Sequence, residues 1–126
     1  MDKLILKVIT ERQMTSCMNN TKWNELVAAI TSKKDFDPPV RMKYLLDEEA
    51  NSGFSPVWWN QIKDDGFELI EWLQIQAFKE EHVGRLVNPK ITDHTSFIRE
   101  ALEKNSIPFE FDDGIFTIHG YKSTGG

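Results

Sequence analysis

A chain of 126 residues fits one compact domain and leaves little room for a second. With 40% hydrophobic and 28% charged residues it has the composition of a globular fold and not of a disordered chain. Its net charge of −5 speaks against nonspecific binding to nucleic acid or to an anionic membrane, since both need positive charge.

Cys17 is the single cysteine, so packing must supply the stability, which suits a reducing, cytoplasmic compartment. No apolar run approaches the ~20 residues of a bilayer span. Leu4-Ile-Leu-Lys-Val-Ile9 is interrupted by Lys7 and lacks a following small-residue cleavage site, which argues against secretion. Up to Asn19, Lys3, Lys7 and Arg12 stand against Asp2 and Glu11, so the acidity belongs to the rest of the chain.

Residues 1–17 form an arm whose apolar positions Leu4, Ile5, Val8 and Ile9 fit a helical stripe and a strand equally. The domain proper is expected over 18–121, with a flexible tail at 122–126. Asn20 or Thr21 can cap a helix that buries Trp23, Leu26, Val27 and Ile30, and Pro38-Pro39 prevents its continuation. In 40–46, Val40, Met42 and Tyr44 alternate with Arg41 and Lys43, the pattern of a half-buried strand. A polar loop follows at 47–53. Ser55 as cap, Pro56 at the first helical position and Gly66 as stop predict a short helix over 56–64.

Residues 67–78 predict a central strand with apolar side chains on both faces, covered at least in part on each. A charged turn at 79–82 leads to a return strand at 83–87. Thr92 or Asp93 then caps a helix that turns Phe97, Ile98, Ala101 and Leu102 inward and ends near Asn105. Asp113-Gly114 is a two-residue hairpin signal. Pairing across it sets Phe111 opposite Phe116 and Phe109 opposite Ile118, with Glu110, Asp112, Thr117 and His119 on the other face. The expected class is therefore α+β: a small, mainly antiparallel sheet with helices packed on it, ending in a helix followed by a C-terminal β-hairpin.

No catalytic signature is present. His82, His94 and His119 have no metal-ligand spacing, and the glycines are too scattered for a phosphate loop. Asp47-Glu48-Glu49, Asp64-Asp65, Glu80-Glu81 and Asp112-Asp113 fall in turns and helix ends, where water keeps carboxylates ordinary. Ser16, Ser55 and Ser96 lack a nucleophile-elbow context. Catalytic, cofactor and metal sites are accordingly expected to be absent. The Trp58-Trp59 doublet would need exposed faces and converging polar groups to stack a sugar or base, whereas tryptophan in a small fold is more often core. Neighbours on a helix diverge by about 100°, so one indole is expected in the core and the other near the surface.

Asn19-Asn-Thr-Lys-Trp23, Pro38-Pro-Val-Arg-Met-Lys43, Val57-Trp-Trp-Asn60, Ile70-Glu-Trp-Leu-Gln-Ile75 and Asp113-Gly-Ile-Phe-Thr-Ile118 resemble a small family of uncharacterised bacterial proteins. The resemblance covers about Met18 to Tyr121, and its motifs are structural. Small acidic proteins of this sort are often immunity partners of toxins. What it implies is a non-catalytic binding protein that occludes the active or substrate-binding surface of a basic toxin domain, such as a nuclease. Asp47, Glu48, Glu49, Asp64, Asp65 and one of Trp58 and Trp59 are the interface candidates, because loops carry function and aromatic anchors carry binding energy. Two rival readings are a housekeeping or oligomeric module and a small enzyme with a dispersed carboxylate/histidine site.

Overall fold

In a computed structural model, residues 3–34, 36–50, 53–81 and 84–123 are described. Helix α1 (Lys3–Glu11) leads into strand β1 (Met14–Ser16), and the arm is thus helical first and extended after it. Helix α2 (Asn20–Thr31) starts one residue earlier than expected, because the Asn19 side chain accepts the Lys22 N–H at 2.8 Å. It buries Trp23, Leu26 and Ile30. Strand β2 (Val40–Tyr44) follows, with Val40 and Met42 buried.

The helix expected over 56–64 is α3 (Trp59–Asp65), and Ser55 does not cap it. Ser55 instead exchanges both backbone hydrogen bonds with Val40, each 2.9 Å, and this holds it extended against the sheet edge. Gly66 does stop the helix, with φ +107° and its N–H donated to Ile62 O at 3.0 Å.

The strand expected over 67–78 is divided. Phe67–Leu69 forms a 3₁₀ turn, β3 (Ile70–Gln76) follows, and the chain changes partners at Ala77 before β4 (Phe78–Glu81). Ala77 donates to Gly114 O and accepts from His94 N, each at 2.8 Å. The return strand is β5 (Lys90–Asp93), later than the expected 83–87; residues 84–87 are not a strand. His82, Val83, Asp35, Asn51, Ser52 and residues 124–126 lie outside the described residues. Helix α4 (Thr95–Lys104) has its first N–H, from Thr95, on Asp93 Oδ1 at 2.9 Å, while Thr92 stays in β5.

Strands β6 (Glu110–Asp112) and β7 (Ile115–His119) form the expected hairpin, with Phe111 opposite Phe116. Asp113 and Gly114 hold φ of 50° and 76°, the left-handed pair that a two-residue turn requires. Phe109 precedes the ladder, and its ring meets Phe116 at 5.5 Å without facing Ile118 across it. The chain then runs on into β8 (Tyr121–Ser123), which pairs with β1, so Lys122 and Ser123 are in a strand.

The main sheet is antiparallel, in the order β2-β3-β7-β6. Helices α2 and α4 cover one face and enclose the main core, which includes Leu73, Ile75, Ile98, Leu102, Phe116 and Ile118. A second, smaller cluster of Ile5, Leu45 and Tyr121, with Leu69 against it, joins α1 to one end of the sheet. The remainder of that outer face is half-exposed and polar. Trp72, Gln74 and Gln76 from β3 lie beside Arg41 and Lys43 of β2 and Thr117 and His119 of β7. Cover on both faces of the central strand is therefore confined to its first residues.

Candidate partner-binding surface

Helix α3 carries the tryptophan doublet at its start and two carboxylates at its end. Trp58 stands at the N-cap and is 77% exposed, whereas Trp59 is half-buried and packs against the main core beside Val57. Trp58 precedes the helix, with φ −112° and ψ 80°, and Trp59 is its first residue, so the change of backbone at the helix start separates the two indoles. A groove of about 440 Å³ runs between α2 and α3, walled by Val27, Thr31, Val57, both tryptophans, Asn60 and Gln61. An exposed tryptophan beside a groove of mixed apolar and amide lining is a feature that can anchor a protein partner.

Asp47, Glu48, Glu49, Asp64 and Asp65 are all exposed. The fold brings two of them together around one phenol. Burial raises the Tyr44 pKa first, and the negative charges of Asp65 and then Asp47 raise it further. The loop after β2 and the end of α3 therefore converge on Tyr44. Asp65 also accepts from Gln61 Nε2 at 2.9 Å, one turn back on the exposed side of the helix. Trp58 and Asp65 are seven residues apart, about 10 Å along the axis. One exposed aromatic, one groove and a converging acidic end thus share a single element.

A second polar constellation was not anticipated. Glu71 is 8% exposed and is the buried charged residue among those described. Its Oε1 lies 2.7 Å from Arg12 Nη1 and 3.1 Å from Lys43 Nζ. The register places Lys43 opposite Trp72 and Tyr44 opposite Ile70, so Glu71 is the extra residue of a bulge. Beside it Arg41 lies 5.4 Å from the Trp72 ring, and Gln74 Nε2 donates to Thr117 Oγ1 at 3.3 Å. The signal in the sequence was a glutamate in an otherwise apolar run, Ile70-Glu71-Trp72-Leu73. This clasp ties the α1–β1 turn to the sheet and sets two cations on one carboxylate.

Among the described residues no group of three or more His, Cys, Asp or Glu side chains is placed to hold a metal ion. No helix among them is long and apolar enough to cross a membrane.

A family described as "Family of unknown function (DUF6678)" matches residues 5–125, and the chain belongs to that family. The match reaches beyond the 18–121 span of the resemblance and takes in most of the N-terminal arm. No curated protein and no solved structure matches the chain.

Proposed function

We propose that this member of the family is a non-catalytic, intracellular binding protein that neutralises a basic toxin domain by covering its active or substrate-binding surface. The observation that carries the reading is the exposure of Trp58 beside the α2–α3 groove, at the start of the helix that ends in the exposed Asp64 and Asp65. A truncated hot-spot tryptophan costs ~2–4 kcal/mol of binding. The surrounding carboxylates add less affinity than speed and selectivity, because they steer a positive partner and repel a negative one. A net charge of −5 acts in the same sense over the whole surface.

The test is genetic. Deleting the gene for this chain while its immediate upstream neighbour remains expressed should arrest growth, and deleting both should be tolerated. Growth should be rescued by the wild-type chain and not by a Trp58→Ala/Asp65→Lys double variant of equal abundance. A harmless single deletion rejects the toxin reading, and full rescue by the double variant rejects this surface.

A further inference from the structure

A cavity of about 310 Å³, away from α3, is lined by Cys17, Pro108, Phe109, Glu110, His119 and Lys122. Four of these six residues carry chemically active groups: a thiol, a carboxylate, an imidazole and an ammonium. Their placement follows from the ladders. Cys17 follows β1 and donates its N–H to Gly120 O at 2.8 Å, which sets it beside the end of β7 where His119 stands. Glu110 begins β6, and Lys122 lies in β8.

His119 is held in place. Its Nε2 lies 3.2 Å from Glu110 Oε1, and Lys122 Nζ lies 3.4 Å from the same oxygen. The imidazole is therefore oriented by a carboxylate, with Nδ1 left as its second nitrogen. Cys17 is a free thiol of intermediate exposure. Its Sγ is 3.7 Å from Thr15 O, a long and weak contact that a side-chain rotation releases at little cost. A nucleophile, a base and a group that orients the base thus line one opening, the set of groups from which an activated thiol is built.

We propose that this cavity is a thiol–disulfide exchange site for small disulfides bearing carboxylates, with Cys17 as nucleophile and His119 as proton acceptor. Exchange at sulfur needs access, a thiolate and a proton acceptor, and the cavity brings these parts together. A volume near the lower end of ligand pockets suits a group of amino-acid size. Lys122 meets the carboxylate of the incoming disulfide, and Phe109 and Pro108 flank its apolar stem.

In the reaction the Cys17 proton passes to His119 Nδ1 as Sγ attacks one sulfur of the disulfide. The new Sγ–S bond forms while the original S–S bond breaks. The departing thiolate takes the proton back from the imidazolium. The products are a mixed disulfide on Cys17 and one small thiol, and the incoming disulfide is the oxidant. The site stands independently of the partner-binding role assigned to α3.

Intact-mass spectrometry of the full chain tests it, with oxidised glutathione and the uncharged bis(2-hydroxyethyl) disulfide as probes near neutral pH. The folded chain should form the mixed disulfide at Cys17 faster than the same chain unfolded in urea. His119→Gln should slow both probes about a hundredfold, the lower end of what a positioned proton acceptor contributes. Lys122→Ala should slow oxidised glutathione alone. Glu110→Gln changes an exposed carboxylate, serves as a second variant should His119→Gln fail to fold, and should also slow both probes. The proposal is overturned if Cys17 stays unmodified, if the folded chain reacts no faster than the unfolded one, or if folded His119→Gln and Glu110→Gln react at the wild-type rate. Equal slowing of both probes by Lys122→Ala would overturn the carboxylate preference.

Discussion

Trp59→Ala removes an indole that packs on the core beside Val57, and chemical denaturation should show a loss of about 2–3 kcal/mol. Trp58→Ala removes a ring that is 77% exposed, and the same measurement should move by less than about 0.5 kcal/mol. Equal losses for the two would mean that Trp58 is a packing residue and could not serve as a partner anchor. Gly120 argues differently, from space alone. A Cβ there would lie 2.1 Å from Ile70 O, a backbone atom that cannot swing aside. Gly120 also donates to Glu71 O and accepts from Cys17 N, each at 2.8 Å, so its own backbone is fixed as well. Gly120→Ala should cost about 3 kcal/mol or prevent folding, and a soluble variant of wild-type midpoint would refute the close approach.

At the scale of elements, what could be read from the sequence was whatever local chemistry decides. The β6–β7 hairpin was legible because Asp113-Gly114 supplies the left-handed pair and both flanking strands alternate in one register. The start of α3 was not, because a Ser-Pro pair signals a cap locally while Val40, far back in the chain, takes both backbone bonds of Ser55. The break at Ala77 likewise depends on Gly114 and His94, partners that no window around Ala77 contains. In the candidate surface one tryptophan is packed and one exposed, as expected, but the helical 100° does not account for it, because Trp58 precedes the helix. Which of them faces out depended on α2, and the meeting of Asp47 with Asp65 at Tyr44 depended on the whole fold. The Glu71 clasp was missed because a bulge defeats simple alternation. The N-terminal arm has a small cluster of its own under α1, and the clasp is its charged tie to the sheet. Glu71→Ala strands Lys43 and Arg12 without their carboxylate and should cost about 2–3 kcal/mol. Hydrogen exchange should show α1 and β1 losing protection before α2 and α4. Uniform loss across all four elements would show that the arm and the main core unfold as one unit.

For the whole molecule, the family match over 5–125 takes in both the arm and the sheet, and the ionisable groups spread across them set the response to pH. His94 lies 4.4 Å from the Phe36 ring, with its Nδ1 3.1 Å from Lys33 Nζ. Burial, then the positive charges of Lys33 and Lys79, lowers its pKa below 6.5, against a smaller opposing pull from Asp93. The folded state therefore holds His94 neutral where the unfolded chain would protonate it. That contribution is complete above the unfolded value and is lost as pH falls through the folded one. Asp93, lowered from 3.8 chiefly by its hydrogen bonds from Thr95, adds a loss of the same sign at more acid pH. At the alkaline end Tyr44 and Tyr121 are both raised above 10.0, each first by burial and then by neighbouring carboxylates. Their protonated phenols favour the folded state, so stability is intact below the unfolded value and falls as pH rises through the folded ones. Denaturation midpoints measured against pH should thus form a plateau that declines below about 6.5 and again above about 10. Asp65→Asn should bring Tyr44 closer to its ordinary ionisation, visible as tyrosinate absorbance appearing at lower pH while the Tyr121 transition stays in place. An unchanged Tyr44 transition would separate the end of α3 from the loop at Asp47, and with it the shared acidic surface on which partner binding is argued.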